Sequence, residues 1–275
     1  MSTISELAQR LELHLRGVGP VVVAYSGGVD SALLAFVAHR VLGDDMLAVL
    51  ADSTSLPRRE YHHALDFARR HSIPLRIVHT DEMSKEGYVA NKGNRCYYCK
   101  QALFEKLSDL QQELRQDSPN DEGEVWPIVY GVNLDDLSDY RPGLQAAREA
   151  TVLSPYVDLG LTKENVRALC RHYELLIADK PAAPCLASRI PHGQSVNEQD
   201  LSQVERAEDF LLGLGLSVCR VRHHGDLARI EVPAEQICWL MEHRLAIHEH
   251  FLKIGYKFVS CDLKGFRSGS LNEAL

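Results

Sequence analysis

Short β-branched runs alternate with amphipathic stretches through the first two thirds of the chain. "PVVVAY" (20–25) is an apolar run ending at glycines, and "DSALLAFVAHRVL" (30–42) follows with apolar residues at helical spacing, which predicts strand, tight turn and helix. The alternation continues through "MLAVLA" (46–51), "RREYHHALDFARRH" (58–71) and "LRIVHT" (75–80). "KQALFEKLSDL" then sets Leu103, Phe104, Leu107 and Leu110 on one helical face, and "PIVYG" (127–131) reads as a further buried strand. Strands alternating with helices predict an α/β fold: a parallel twisted sheet with helices on both faces and ligands at the carboxyl ends of the strands.

After about Pro191 the pattern changes. "EQDLSQVERAEDFLLGLG" predicts a helix ending in glycines, and "SVCRVRHHG" and "LARIEV" predict two strands joined at "HHGD". "AEQICWLMEHRLAIHEHF" reads as one more helix and "YKFVSCD" as a last strand, together a smaller α+β domain. The expected division is 1–180 and 181–275, with the crossing between Lys180 and Gly193. "QQELRQDSPNDEGE" (111–124) reads as a helix end running into a surface loop.

At 275 residues and 45% hydrophobic, the chain has enough apolar surface for one large domain and a smaller companion. Its net charge of −8, from 30 basic and 38 acidic side chains, argues against holding nucleic acid through its phosphates, though a local basic patch can still bind one phosphate. "MSTISELAQRLELHLRG" lacks the basic start and apolar run of a secretory signal, and no segment is apolar enough to span a membrane. A cytoplasmic location is therefore expected. Seven cysteines at irregular spacing are expected to stay reduced there, available for ligation or chemistry.

Candidate chemistry begins at "AYSGGVDSALL", where the first strand hands over to its helix. Gly27 and Gly28 let the backbone approach an anion, Ser26 and Ser31 offer hydroxyls, and the helix start carries the positive end of its dipole. The loop lacks the lysine of "GxxxxGK[ST]" and so is not the P-loop of kinases and GTPases. A bare Gly-Gly pair would mark a tight turn; the whole "SGGVDS" between strand and helix points to phosphate. It resembles the PP-loop of ATP pyrophosphatases, which cleave ATP between the α and β phosphates and adenylate an acceptor. The resemblance implies that Ser26, Gly27, Gly28 and Ser31 hold the leaving pyrophosphate and that Asp30 helps organise magnesium. It also makes Asp52 and Ser53 of "LADSTS" candidates for adenosine, a helix N-cap being the other reading of Asp52.

"YGVNLDDLSDYRPGLQAA" ends a strand with Asn133, Asp135, Asp136, Asp139 and Arg141. Carboxylates at a strand's carboxyl end suit magnesium and pyrophosphate, while some of them can cap the helix near Pro142. The PP-loop resemblance favours Asn133 and Asp136 for the nucleotide. In "NRCYYCK", the spacing of Cys96 and Cys99 suits a redox disulfide, a zinc clip or an iron–sulfur cluster alike. "DKPAAPCLASRIPHG" (179–193) sets Cys185 among prolines and small residues beside Ser188 and Arg189, a guanidinium that favours thiolate. "CRVRHHGDLARIE" puts Arg220 and Arg222 on one strand face with His224 and Arg229 nearby, either an anion site or a solvated face.

Five fragments in this order, "SGGVDS", "NLDDLSDYRPG", "KPAAPCLASRIPHG", "RVRHHGDLARIEV" and "GFRSGSLNE", resemble the LarE family of ATP-dependent sulfur transferases over nearly the whole chain. The resemblance implies that carboxylates of pyridinium-3,5-biscarboxylic acid mononucleotide become thiocarboxylates on the way to the nickel-pincer nucleotide cofactor of lactate racemase. A carboxylate is a poor electrophile, so an acyl-adenylate forms first and a sulfur nucleophile then displaces AMP. The implied catalytic residues are Cys185, Ser26 and Asp30; Ser188, Arg189, Arg220 and Arg222 would contact the nucleotide substrate. Members with one cysteine in the "CLASRI" segment are thought to sacrifice its sulfur, leaving dehydroalanine. Those with an added CxxC hold a [4Fe-4S] cluster on three thiolates, here Cys96, Cys99 and Cys185. The cofactors implied are ATP, Mg2+ and this cluster, and the partners are a sulfide or other sulfur donor and further copies of the chain in a homo-oligomer.

Other readings differ in chemistry. A zinc site can be built from the same three cysteines and one of 13 histidines. A thioredoxin-like disulfide is disfavoured because "CYYC" follows "NKGNR" rather than a βαβ active-site strand. A transfer-RNA thiolase also combines a PP-loop with three cluster cysteines, and the acidic balance weighs against it. A regulatory module that keeps the loop without chemistry is opposed by the intact "SGGVDS" and by Cys185.

Overall fold

The structure, a computed structural model, describes residues 3–116, 126–137 and 142–267. Asp139, Arg141, most of the surface loop expected before residue 124 and the end of the "GFRSGSLNE" fragment lie outside them. In chain order the elements are α1 (Ile4–Val18), β1 (Val21–Tyr25), α2 (Val29–Leu42), β2 (Met46–Asp52), α3 (Arg58–Arg70), β3 (Leu75–His79), α4 (Glu86–Val89), α5 (Arg95–Gln116), β4 (Ile128–Tyr130), α6 (Pro142–Glu149), α7 (Pro155–Asp158) and α8 (Lys163–His172). They continue with α9 (Glu198–Gly213), β5 (Arg220–His224), β6 (Leu227–Glu231), α10 (Ile237–Glu242), α11 (Arg244–Lys253) and β7 (Phe258–Cys261). Two compact units result: Met1–Ser53, Arg58–Glu82 and Cys96–Ala183 form the first, and Thr54–Pro57, Met83–Arg95 and Pro184–Leu275 form the second. The short segments 54–57 and 83–95 thus fold with the carboxyl-terminal part, an arrangement that periodicity does not mark.

The first unit is an α/β layer structure around a parallel sheet in the order β3-β2-β1-β4. β1 is buried at every position, as a strand covered on both faces must be. Val22, Ala24 and Val49 meet Leu103, Phe104, Leu107 and Leu110 of α5 and Ala146 and Ala147 of α6 in one apolar cluster. α2 is apolar nearly all round, as a core helix is, and packs on β1, β2, α1 and α8. The strand order reverses beside β1: β2 and β3 lie to one side and β4 to the other. Chain segments leaving the carboxyl ends of β1 and β4 therefore diverge, and the opening between them is where open parallel sheets bind ligands.

α5 begins at Arg95, earlier than the "KQALFEKLSDL" pattern shows, so "CYYC" occupies its first turns. α8 is marked in the sequence by Thr162 and Asn165, which form a reciprocal cap at its start.

The second unit holds a mixed sheet, β5-β6-β7, with β5 and β6 antiparallel and β6 and β7 parallel. His224 pairs with Leu227, so the hairpin turns at Gly225 and Asp226, and Gly225 takes the positive φ of 64° that such a turn requires. Ala207, Leu211, Val221, Ala228, Ile230, Leu240, Ile247, Phe251 and Tyr256 form its core. The single helix expected over 234–251 is instead a 3-10 turn, Ala234–Gln236, followed by α10 and α11. The break falls at His243, which leaves helical dihedrals at φ of −95° and ψ of 6°; its ring stacks on Trp239 at 3.9 Å and its Nδ1 lies 2.8 Å from the Trp239 carbonyl. Among the described residues no helix is long and apolar enough to cross a membrane.

Phe251 is fully buried, so Phe251→Ala should cost about 3–5 kcal/mol of stability in urea unfolding of the full chain, read through fluorescence of Trp239.

Candidate active site

The phosphate loop is built by close approach of backbone. Gly27 has φ of 70°, and a Cβ on it would lie 2.5 Å from the Cβ of Ala64, so glycine is needed on both conformational and steric grounds. Ser26 and Ser31 close the turn: the Ser26 N–H donates to Ser31 Oγ at 3.1 Å, and the two hydroxyls lie 3.0 Å apart. Gly28, the N-cap of α2, provides no side-chain cap. Two lysines distant in sequence reach the loop. Lys180 Nζ donates to the Gly27 carbonyl at 3.0 Å and pairs with Glu60 at 2.6 Å. Lys163, the first residue of α8, pairs with Asp30.

The end of β4 meets this loop directly. A Cβ on Gly131 would lie 3.0 Å from the Asp30 carbonyl carbon and from the Ser31 nitrogen, so a larger residue would displace the head of α2. Asn133 Nδ2 donates to Asp30 Oδ1 at 3.0 Å, and its Oδ1 accepts the Asp135 N–H at 3.0 Å, which orients the amide. Asp136 Oδ2 accepts the Asn133 N–H at 3.2 Å. Asp30, Ser31, Asn133, Asp135 and Asp136 are thus brought together. Cys170 packs beneath them, fully buried, its thiol pushed up to about 12 by burial and by Asp30, which makes it a core residue and no nucleophile.

At the end of β2, Asp52 pairs with Arg58 at 2.7 Å and lies 3.6 Å from His79 Nδ1. The Ser53 hydroxyl donates to Glu82, a buried carboxylate that also accepts from Thr80 at 2.6 Å. Sequence reasoning missed Lys163, Lys180 and Glu82; the capping pattern in "LTKENV" was the one local signal, and it located α8 without showing what Lys163 reaches.

Cys96 and Cys99 lie about one turn apart at the start of α5, Cys96 exposed and Cys99 half-buried. Lys100 sits over the Tyr130 ring at 4.7 Å; burial works against its ammonium, yet Tyr130, Cys99 and Cys96 hold its pKa above the ordinary lysine value. Two adjacent thiols beside a cation suit thiolate ligation of an iron–sulfur cluster. Cys185, the third cysteine of the expected set, belongs to the second unit. Among the described residues no three His, Cys, Asp or Glu side chains are grouped as a metal ion would need.

In the second unit Cys185 opens the 3-10 turn Leu186–Arg189. Its carbonyl accepts from the Ser188 N–H at 2.9 Å, Ser188 Oγ at 2.7 Å and Arg189 Nη1 at 3.1 Å. Arg189 is 2% exposed. It is bidentate to Glu208 at 2.9 Å on both arms and donates to the Pro184 carbonyl at 2.7 Å, so its donors are engaged inside the fold. Arg189, expected at the substrate, shapes the Cys185 turn in this structure. Arg222, also buried, donates to the Ser188 carbonyl at 3.0 Å and pairs with Glu231 at 2.7 Å. Arg220, less buried, stands over the Phe266 ring at 5.2 Å, and burial followed by the neighbouring Arg189 lowers its pKa from the usual value. Guanidinium groups crowded in this way suit an anion. Asn91, fully buried at φ of 50°, donates through Nδ2 to the carbonyls of Pro191 at 2.9 Å and Gln194 at 3.0 Å. Arg95 Nη1 bridges Asn91 Oδ1 at 2.6 Å and the Ala187 carbonyl at 2.7 Å.

Comparison with known proteins gives the chain's family. The NAD synthase family model matches residues 4–95. The chain is 41% identical over 256 residues to the uncharacterized protein slr1717 of Synechocystis, covering 92% of each chain. It is 32% identical to the pyridinium-3,5-bisthiocarboxylic acid mononucleotide synthase of Lactiplantibacillus plantarum, over 100% of this chain and 97% of the relative. The chain belongs to the LarE family. This LarE member is also 28% identical to the uncharacterized protein MJ0830 of Methanocaldococcus jannaschii, over 90% of this chain and 91% of that one. As a LarE member with a PP-loop, the chain is an ATP-using enzyme.

Two substitutions test the geometry. Gly27→Ala should lower ATP affinity about tenfold or more, a loss of about 1.4 kcal/mol, by titration calorimetry. Arg189→Met leaves the Glu208 charge buried and should cost about 3–5 kcal/mol in urea unfolding, with Glu208→Gln in the same background restoring part of it.

Proposed function

We propose that the chain adenylates carboxylates of pyridinium-3,5-biscarboxylic acid mononucleotide and replaces AMP by sulfur, giving the thiocarboxylate precursor of the nickel-pincer nucleotide cofactor of lactate racemase. The observation that carries this reading is the loop at Asp30, met by Asn133 and Lys163, in a chain similar over its full length to a pyridinium-3,5-bisthiocarboxylic acid mononucleotide synthase.

A substrate carboxylate oxygen attacks the α-phosphorus of ATP, and the bond to pyrophosphate breaks. Ser26, Gly27, Gly28 and Ser31 receive the leaving pyrophosphate, and the amides at the head of α2 favour its charge. Asp30 is the carboxylate that would help hold magnesium, with Asn133 and Asp136 serving the nucleotide and Asp52 and Ser53 the adenosine. The acyl-adenylate carbon then accepts a sulfur nucleophile, and its bond to the AMP oxygen breaks. Cys185 presents the sulfur. On the same unit Ser188, Arg189, Arg220 and Arg222 serve the substrate and its phosphate, Arg189 and Arg222 also fixing the Cys185 turn.

Cys96, Cys99 and Cys185 are the residues that would hold a [4Fe-4S] cluster, which when bound supplies an iron able to carry an additional sulfide. What supports this is the pair of thiols one turn apart at the start of α5, beside the Lys100 ammonium, in a chain that also carries Cys185 in its "CLASRI" segment. A second reading uses Cys185 alone, which opens a 3-10 turn built within the second unit. In it the Cys185 sulfur attacks the adenylate, Cα loses a proton and the Cβ–Sγ bond breaks, leaving dehydroalanine and a thiocarboxylate.

An anaerobic assay with ATP, Mg2+, sulfide and the biscarboxylated nucleotide separates the two. Several thiocarboxylates per chain with unchanged protein mass support the cluster; one per chain with loss of the mass of H2S supports sacrifice of Cys185; none, without pyrophosphate release, overturns the proposal. Cys185→Ala should keep adenylation and abolish sulfur transfer, and Cys96→Ala or Cys99→Ala should remove the iron. Full multiple turnover in Cys96→Ala would sink the cluster assignment.

A further inference from the structure

Asp30, expected to help hold magnesium, already has a cation. Lys163 Nζ pairs with Asp30 Oδ2, while Asn133 Nδ2 donates to Oδ1 at 3.0 Å. The lysine is held at its root as well, its backbone N–H donating to Asp135 Oδ2 at 2.7 Å. The head of α8 is capped independently: Asn165 N–H donates to Thr162 Oγ1 at 3.2 Å, and Thr162 N–H donates to Asn165 Oδ1 at 3.0 Å. The ammonium of Lys163 is therefore not needed to start the helix. Its side chain is 39% exposed and that of Asp30 is 21% exposed, so ions and ligands can reach the pair.

A divalent ion and an ammonium on one carboxylate repel each other, so occupancy by one disfavours the other. Magnesium also keeps several waters and binds through one or two carboxylates together with substrate phosphates. From this geometry we propose that Lys163 is an internal counter-cation: it occupies Asp30 in the nucleotide-free enzyme, disfavours a free divalent ion there, and turns to the phosphates when metal and ATP arrive together. The exchange keeps each charge paired, since Asp30 passes from ammonium to metal as the ammonium passes from carboxylate to phosphate. It also accounts for a phosphate loop with no lysine of its own: the positive charge comes from α8, and it has a second place to rest. Metal then enters with nucleotide and not ahead of it. This inference rests on the adenylating reading of the site.

The test is Mn2+ titration of the full chain without nucleotide, followed by the electron paramagnetic resonance of free Mn2+. Lys163→Met should bind Mn2+ about tenfold more tightly than the wild-type chain, or more, equivalent to about 1.4 kcal/mol or more. Asp30→Asn in the same background should remove that gain. The same Lys163→Met chain should bind the non-cleavable α,β-methylene analogue of ATP about tenfold more weakly with Mg2+ present, with Lys163→Arg recovering part of the loss. Lys163→Gln serves the same comparison if the methionine variant does not yield folded protein. Mn2+ affinity that is unchanged or weaker in the variant, or a gain that survives Asp30→Asn, overturns the inference. The titration contains no ATP, so its outcome is separate from that of pyrophosphate release by the wild-type chain, whose absence would overturn the adenylating reading instead.

Discussion

The first unit is organised around the carboxylate and backbone of Asp30. Its side chain is met by Asn133 and Lys163, and its carbonyl accepts the Tyr156 hydroxyl at 2.9 Å. Three segments distant in sequence converge there because the strand order reverses between β1 and β4 and leaves their carboxyl ends side by side and open. Gly131 lets the two backbones approach so closely that a Cβ would press on Asp30 and Ser31 at 3.0 Å. The phosphate loop, the acidic turn after β4 and the head of α8 are consequences of that one approach, and a shift of any of them would leave a partly buried charge without its partner.

The second unit rests on a comparable constraint of the opposite sign. There the guanidinium groups of Arg189 and Arg222 are taken out of water and matched by Glu208 and Glu231. Such pairs return little net stability over an apolar core of the same volume, because desolvation consumes most of the Coulombic gain. What they impose is geometry. Arg189 reaches the carbonyls of Pro184 and Cys185, Arg222 that of Ser188, and Arg95 and Asn91 those of Ala187, Pro191 and Gln194. A turn rich in carbonyls with few helical or sheet partners is thereby held in one conformation, with Cys185 at its start.

Several features were legible in contiguous residues. The strand–loop–helix at "SGGVDS" needs β-branched residues, glycine at positive φ and an apolar helix in immediate succession, and all three are local demands. The same holds for the turn at Gly225, for the pairing of Arg220 and Arg222 on one strand face, and for the cap at Thr162. The helix expected over 234–251 breaks at His243 although its apolar spacing runs on without interruption, since period reports which face is buried and not where a single residue leaves helical dihedrals.

By itself, then, the sequence determined the α/β order, the anion-binding loop and the thiols and guanidinium groups available for chemistry, because each depends on residues within a few positions of one another. The tertiary structure alone decided that Lys163 and Lys180 reach the loop, that Arg189 braces the Cys185 turn through Glu208 and nearby carbonyls, and that residues 54–57 and 83–95 fold with the second unit. The reason is the range of the pairing. Lys163 and Asp30 are 133 residues apart, and a charge finds its partner across that distance through the order of strands and the packing of helices, which no local pattern encodes.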